Sequence, residues 1–293
     1  MGFLWSLVAI SAGYFLGEIV RLALRRILPR VYYPYANELI STFQLSVCVF
    51  EISVIGRFYN SWIALLCSFV LLTVKNVGFI FEGAFANPCG LLEDLVYEKG
   101  YWLSDNIAKI FFQVLGALLS FPFIQMLWLS TWSELHYQQI KRGLRSTLDV
   151  SLLYGFSIEI LATFVSTASD FLSRGTLRRF NPVIRSAICV LLSFFLSETT
   201  GTWMNPALAT AQTFVYCSRN EVITEHLFVF WLGPIIGTLA AIEMNTLFLK
   251  PSVITQGREK NLAKKIKQSS AKNHRDGAVN SNRNQKERFA KNA

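Results

Sequence analysis

The 293-residue chain is 52% hydrophobic and only 16% charged, with a mean hydropathy of +0.37, whereas soluble domains carry about a quarter charged residues. That balance excludes a disordered chain, a collagen-like fibre and a nucleic-acid-binding globule for most of its length. The net charge of +9 resides in residues 250–293, which hold 12 Lys/Arg against 3 Asp/Glu; over residues 1–249 the two signs cancel.

Apolar blocks of about 20 residues, the length that crosses a hydrocarbon core as a helix, fall at 3–24, 37–57, 61–81, 106–130, 150–172, 183–200 and 223–248. The sequence therefore predicts an all-α polytopic membrane protein. The first block ends at Arg25, Arg26, Pro29 and Arg30; basic residues follow the apolar run instead of preceding it, so it reads as a retained helix and not as a cleaved signal. Glu18 and Arg21, three apart on it, form a local pair. Lys/Arg in short loops set orientation. Arg25, Arg26, Arg30, Lys99, Arg174, Arg178, Arg179 and the basic tail fall on one side; Arg57, Lys141, Arg142, Arg145 and Arg219 fall on the other. The richer side is placed in the cytoplasm, with the carboxyl end there. The tail 250–293 is too polar to bury a core and reads as disordered, with Lys260, Lys264, Lys265 and Lys267 nearest the membrane surface.

The five cysteines, Cys48, Cys67, Cys89, Cys189 and Cys217, follow no CxxC spacing and read as small buried hydrophobes. Three His give no zinc constellation or triad; His136 reads as solvated in the outer loop. The sequence points to no metal site, cofactor or catalytic residue, and to no enzyme.

An internal repeat decides the architecture. Glu38-Leu39-Ile40-Ser41-Thr42-Phe43 recurs 121 residues later as Glu159-Ile160-Leu161-Ala162-Thr163-Phe164, and Asn87-Pro88-Cys89 recurs 118 residues later as Asn205-Pro206-Ala207. Each copy holds three spans, an odd number, so the second enters from the opposite side and the functional site lies where the copies meet. The organisation is a helix and basic linker over 1–36, a first repeat over 37–131, a connecting loop over 132–149, a second repeat over 150–249 and the tail over 250–293. In both Asn-Pro elements Asn suits the N-cap and Pro the first helical position, which predicts short helices over 88–96 and 206–215, too short to cross a bilayer. Two such half-helices entering from opposite faces bring both positive ends to one spot. That makes a constriction for neutral polar solutes, in which the carboxamides donate to passing oxygens and the dipoles disfavour cations.

These residues resemble the aquaporin (major intrinsic protein) family over about 37–250. Gln113-x-x-Gly116-Ala117, Thr200-Gly201 and Phe230-Trp231-Leu232-Gly233-Pro234-Ile235-Ile236-Gly237 carry the likeness further. The Asn-Pro-Cys box, the added first helix and the run Glu38–Gln44 are similar to the unorthodox superaquaporin branch (aquaporin-eleven/twelve-like), often found in intracellular membranes. The resemblance implies six spanning helices, two half-helices and an extra N-terminal helix, a pore constriction at Asn87, Pro88, Cys89, Asn205, Pro206 and Ala207, and a homotetramer in a lipid bilayer, either the endoplasmic reticulum or the plasma membrane. It makes Glu38 and Glu159 scaffold carboxylates that accept hydrogen bonds from the loops beside the boxes. It places an outer filter at Leu208, Thr202, Cys67 and Ser193. Most of the family has Arg at the position of Leu208, so donors and charge are missing there. The expected activity is passive passage of water and small neutral solutes such as glycerol or hydrogen peroxide, with no nucleic-acid partner. The alternatives are a poorly conducting structural or regulatory protein of the same fold, and a proton-coupled transporter using Glu159 or Asp170.

Overall fold

The computed structural model describes residues 2–97, 103–130, 133–142, 147–174, 177–214 and 220–249. The readings of the basic tail, Lys99, Arg145, Cys217 and Arg219 lie outside the described residues. Residues Met1–Glu243 form one compact unit, to which everything below refers. Of the second unit, Met244–Ala293, the described part is the end of the last helix and a π-helical turn at Asn245–Leu249.

The described residues are helical, with no strand among them: α1 (Gly2–Ile27), α2 (Tyr33–Phe58), α3 (Ser61–Val77), α4 (Pro88–Tyr97), α5 (Leu103–Ser130), α6 (Glu134–Arg142), α7 (Leu152–Ser173), α8 (Asn181–Phe195), α9 (Pro206–Phe214), α10 (Asn220–His226) and α11 (Gly233–Met244). A π-helical stretch, Leu227–Leu232, joins α10 to α11, where the sequence pattern alone predicts one uniform helix. Five segments are long and apolar enough to cross a membrane: α1, α2, α5, α7 and Ile223–Phe248. Two shorter apolar helices, α3 and α8, each precede a half-helix.

The ends of α3 and α8 fall short of the apolar blocks that predict them. Asn60 caps the start of α3, accepting from Trp62 N at 2.8 Å and Ile63 N at 3.3 Å. Its end comes at Gly78, which takes a left-handed φ of 91°. The apolar residues that follow, Phe79 to Phe81, continue as non-helical chain and a single 3₁₀ turn. The end of α8 comes at Leu196 instead of residue 200. Past α3, hydropathy cannot distinguish an apolar helix from apolar chain beside a site; α8 instead ends where the chain turns polar, at Ser197-Glu198-Thr199-Thr200.

Packing follows the repeat. In the first half α2 is the hub, touching α1, α3, α5, α6 and α9; in the second half α7 meets α8 and the π-helical stretch, while α3 packs on α8 and joins the halves. Two contacts between repeat-related residues are built on glycine. A Cβ at Gly116 of α5 would lie 2.2 Å from the carbonyl oxygen of Leu39, and a Cβ at Gly237 of α11 would lie 2.4 Å from that of Ile160. Leu39 and Ile160 are 121 residues apart in sequence, as are Gly116 and Gly237. Both halves thus close helix on helix at the same place, with backbone against backbone.

Of the connecting loop, the described part holds α6, and His136 on that helix is fully buried, which corrects its reading as a solvated side chain. Glu51, also fully buried in α2, is the cause: its carboxylate accepts from Trp128 Nε1 and lies 3.3 Å from His136 Nε2, which also lies 3.2 Å from Ser6 Oγ. A carboxylate out of water needs such partners. The Glu18–Arg21 pair forms, but Arg21 is only 1% exposed and reaches α2 as well. Cys48, Cys67, Cys89 and Cys189 are free, Cys48 and Cys89 being buried.

The loop charges sort to two ends of the bundle. Arg25 pairs with Glu82 ahead of α4, and Arg174 lies 3.2 Å from Glu93 on α4. Arg57, at the other end of α2, donates to Gln139 of α6 at 2.9 Å.

Candidate functional site

Each Asn-Pro element starts a short helix in the same way. Asn87 Oδ1 accepts from Cys89 N at 2.9 Å and Asn205 Oδ1 from Ala207 N at 3.1 Å, so each asparagine caps its own half-helix, α4 or α9. The first helical amide bonds close behind them, Gly90 N to Asn87 O and Ala209 N to Asn205 O, both at 3.1 Å.

The two carboxamides also cross to one another's loops. Asn87 Nδ2 donates to the carbonyl of Met204 at 3.0 Å, and Asn205 Nδ2 donates to the carbonyl of Ala86 at 2.8 Å. The acceptors are the residues directly before the opposite asparagine. Ala86 (φ 51°) and Met204 (φ 48°) are both left-handed, a conformation that costs a non-glycine residue about 1–3 kcal/mol and persists only where surrounding structure holds it. Here it turns each carbonyl across the interface between the repeats. The amino ends of α4 and α9 therefore meet at one point.

Two buried carboxylates hold the loops. Glu38 accepts from Phe85 N and Ala86 N, both at 2.9 Å, and from Gln113 Nε2 at 2.8 Å. Glu159 accepts from Trp203 N and Met204 N, both at 3.1 Å, and from Thr200 Oγ1 at 2.8 Å. Each carboxylate thus has two backbone amides and one side-chain donor, although the third donor comes from α5 in one half and from the loop itself in the other. Charge-assisted bonds of this kind offset the cost of burying the carboxylate.

Other residues of the second loop form a local frame. Ser193 Oγ donates to the carbonyl of Thr202 at 3.0 Å, and Thr202 Oγ1 donates to that of Leu196 at 3.1 Å. Ser193 and Thr202 are therefore brought together. Leu208 is buried one residue past the second box and packs in an apolar cluster with Leu45, Phe81 and Ala86. Cys67 is half-buried on α3, and among the described residues no hydrogen bond joins it to the other three.

Sequence reasoning missed Thr147, which donates to the carbonyl of Thr200 at 2.6 Å and accepts from Trp203 Nε1 at 2.9 Å; a threonine in a polar break carries no signal. It also passed over Lys75, whose charge inside the third apolar block was visible. Lys75 is half-buried on α3, and Asp170 on α7 pairs with Arg174 and lies 3.6 Å from Arg185.

Spanning helices around two half-helices that meet tip to tip define a polytopic membrane channel. Residues 62–243 match the family model described as "Major intrinsic protein". The chain belongs to that family, whose members are membrane channels for water or small solutes and not enzymes. It is similar to aquaporin-12 of Mus musculus, 29% identical over 77% of this chain and 79% of that protein. It is also similar to aquaporin-11 of Mus musculus, 25% identical over 82% of this chain and 90% of that protein. These relatives place it in the superaquaporin branch, as the Asn-Pro-Cys box and the added first helix imply. Among solved structures, an aquaglyceroporin from Plasmodium falciparum aligns with 86% of this chain and 98% of its own, at a TM-score of 0.47 and 17% identity.

Proposed function

We propose that water and small neutral solutes, glycerol or hydrogen peroxide among them, cross the membrane between Asn87 and Asn205, with Pro88, Cys89, Pro206 and Ala207 completing the constriction. The observation that carries this reading is the reciprocal bonding of the two asparagines to the carbonyls of Met204 and Ala86, at 3.0 and 2.8 Å. A carboxamide has two N–H donors. One is used on the opposite carbonyl, and the second is offered to the oxygen of a passing solute. The positive ends of α4 and α9 face the same spot and disfavour cations and protons there.

In this reading Leu208, Thr202, Cys67 and Ser193 form the outer filter. None is a large aromatic and none is charged, so the filter is less polar than one with a guanidinium and admits solutes larger than water. Glu38 and Glu159 act as scaffold carboxylates that fix the two loops. By family resemblance the assembly is a homotetramer, in the endoplasmic reticulum or the plasma membrane.

The test is osmotic swelling of lipid vesicles holding the purified full chain. The expected result is water and glycerol flux above that of protein-free vesicles, without ion current. Asn205→Asp keeps the capping oxygen but removes both N–H donors, and should lower flux about tenfold at equal protein content, the equivalent of one lost hydrogen bond in the passage. Wild-type vesicles that swell no faster than lipid alone would favour the poorly conducting structural protein instead.

A further inference from the structure

The loop that leads into α4 is held at two places. Its downstream end, Phe85 and Ala86, hangs on Glu38. Its upstream end is tied to α1, the helix that lies outside both repeats. The carbonyl of Phe81 accepts from Asn37 Nδ2 at 3.1 Å, and Asn37 Oδ1 accepts from Arg21 Nε at 2.9 Å. Glu82 Oε1 pairs with Arg25 Nη2, and Glu82 Oε2 accepts from the Tyr33 hydroxyl at 2.6 Å. The Arg25 guanidinium also stands 5.8 Å from the centre of the Tyr33 ring. Arg21 and Arg25 are one helical turn apart on α1. Among the described residues, the equivalent stretch of the second half is held by Thr147 and not by a helix of this kind.

The segment being held is strained. Phe81 (φ 67°) and Glu82 (φ 47°) are consecutive non-glycine residues in left-handed backbone, which stays populated only where neighbouring groups over-determine it. The helix that holds it is firmly seated. Ser6, Ala9, Gly13, Gly17 and Arg21 form one buried stripe along α1, with Gly13 and Gly17 directly against Val47 and Gln44 of α2. Arg21 further donates to Ser41 Oγ at 3.0 Å and Gln44 Oε1 at 2.6 Å. Arg21 is thus the anchor. Arg25 is half exposed, and its pairing with Glu82 is the releasable contact.

We propose that α1 is a positioning element for the first half-helix, acting through the contact of Arg25 with Glu82, and that loss of this contact shifts Asn87 and so alters which solutes pass. The effect on solutes rests on the channel reading above; the hold on the loop does not. An exposed ion pair is weak by itself. Here it shares its carboxylate with Tyr33 and opposes two left-handed residues, so its release re-sorts the loop without unfolding the bundle.

The experiment uses the purified full chain in lipid vesicles, with two readouts. The first is the rate at which methyl methanethiosulfonate modifies Cys89, resolved from the other cysteines by peptide mass mapping. Cys89 is two residues past Asn87 and buried, so its labelling reports movement of the half-helix whether or not solute flows. The second is the ratio of glycerol to water permeability. Arg25→Gln and Glu82→Gln should each raise Cys89 labelling about threefold, the scale of an exposed contact of this kind, and should change the permeability ratio. The paired exchange Arg25→Glu with Glu82→Arg should return both values toward wild type. Unchanged labelling in both single variants overturns the proposal. So does a paired exchange that fails to restore labelling, because general loosening would then explain the singles. If Arg25→Gln does not accumulate, Tyr33→Phe removes a single hydroxyl and is judged by the same labelling. If wild-type vesicles pass no more solute than lipid alone, the channel reading falls, while the labelling rates still decide whether α1 holds the loop.

Discussion

Glu159 shows how a buried charge can serve as a structural part. It takes the amides of Trp203 and Met204 and the hydroxyl of Thr200. Each buried group left unpaired costs about 1–3 kcal/mol. Glu159→Leu strands all three donors, and the yield of folded protein on detergent size exclusion should fall several-fold, while Glu159→Gln, which keeps one acceptor oxygen, falls less. Equal recovery of the Leu variant and wild type would refute the scaffold role. Glu38 and Glu159 stood out in the sequence because a charge in an apolar block is costly and because the same pattern appears twice; their bonding to the loop amides was implied only by the family resemblance. His136 did not stand out. A histidine in a polar break looks solvated, and only the fold brings it beside Glu51. The visible half of that pair was Glu51, a charge within the second apolar block, and from it a partner could have been demanded, though not named.

At the scale of elements, the repeat was readable and the helix ends were not. Both half-helices begin where Asn and Pro place them, since capping is a local matter. The ends of α3 and α8 depend on where the chain must leave the helix to reach the site; past α3 that point has apolar residues on both sides, and past α8 it is marked only by the polar run Ser197-Glu198-Thr199-Thr200. The paired glycine contacts offer a direct check on the repeat. Alanine at Gly116 or Gly237 would drive a methyl into the backbone of Leu39 or Ile160, with Cβ at 2.2 or 2.4 Å from a carbonyl oxygen. Backbone cannot step aside as a flexible side chain can, and overpacking of this kind costs about 1–3 kcal/mol or more. Both variants should lower the temperature of detergent-solubilised aggregation by similar amounts; a large loss at one site and none at the other would show that the two contacts are not equivalent.

For the whole molecule, the first helix changes meaning between sequence and structure. Read as a sequence, it stands apart from both repeats. In the fold it covers polar residues of α2, among them Asn37, Ser41 and Gln44, all bonded to Arg21 and all buried. Removing residues 2–27 would turn those groups toward lipid, where unpartnered polar side chains are costly. The shortened chain should fail to accumulate in membranes, as read by immunoblot of the membrane fraction. Accumulation at the full-length level would mean that α2 tolerates lipid on that face. The first helix was legible as a helix from its apolarity; its partnership with α2 was not, because Arg21 has a nearer candidate in Glu18 and nothing in the linear order favours the distant groups.

The crossed bonds between the two loops have a consequence in time. Asn87 leaves the ribosome 118 residues before Asn205, and at ~5–20 residues per second the interval is roughly 6–24 s. Throughout it the first loop has a carboxamide without its acceptor and a carbonyl at Ala86 without its donor. The nascent first half must therefore wait in the membrane with an unfinished tip, and whatever shelters that tip during synthesis decides how many chains reach the finished form.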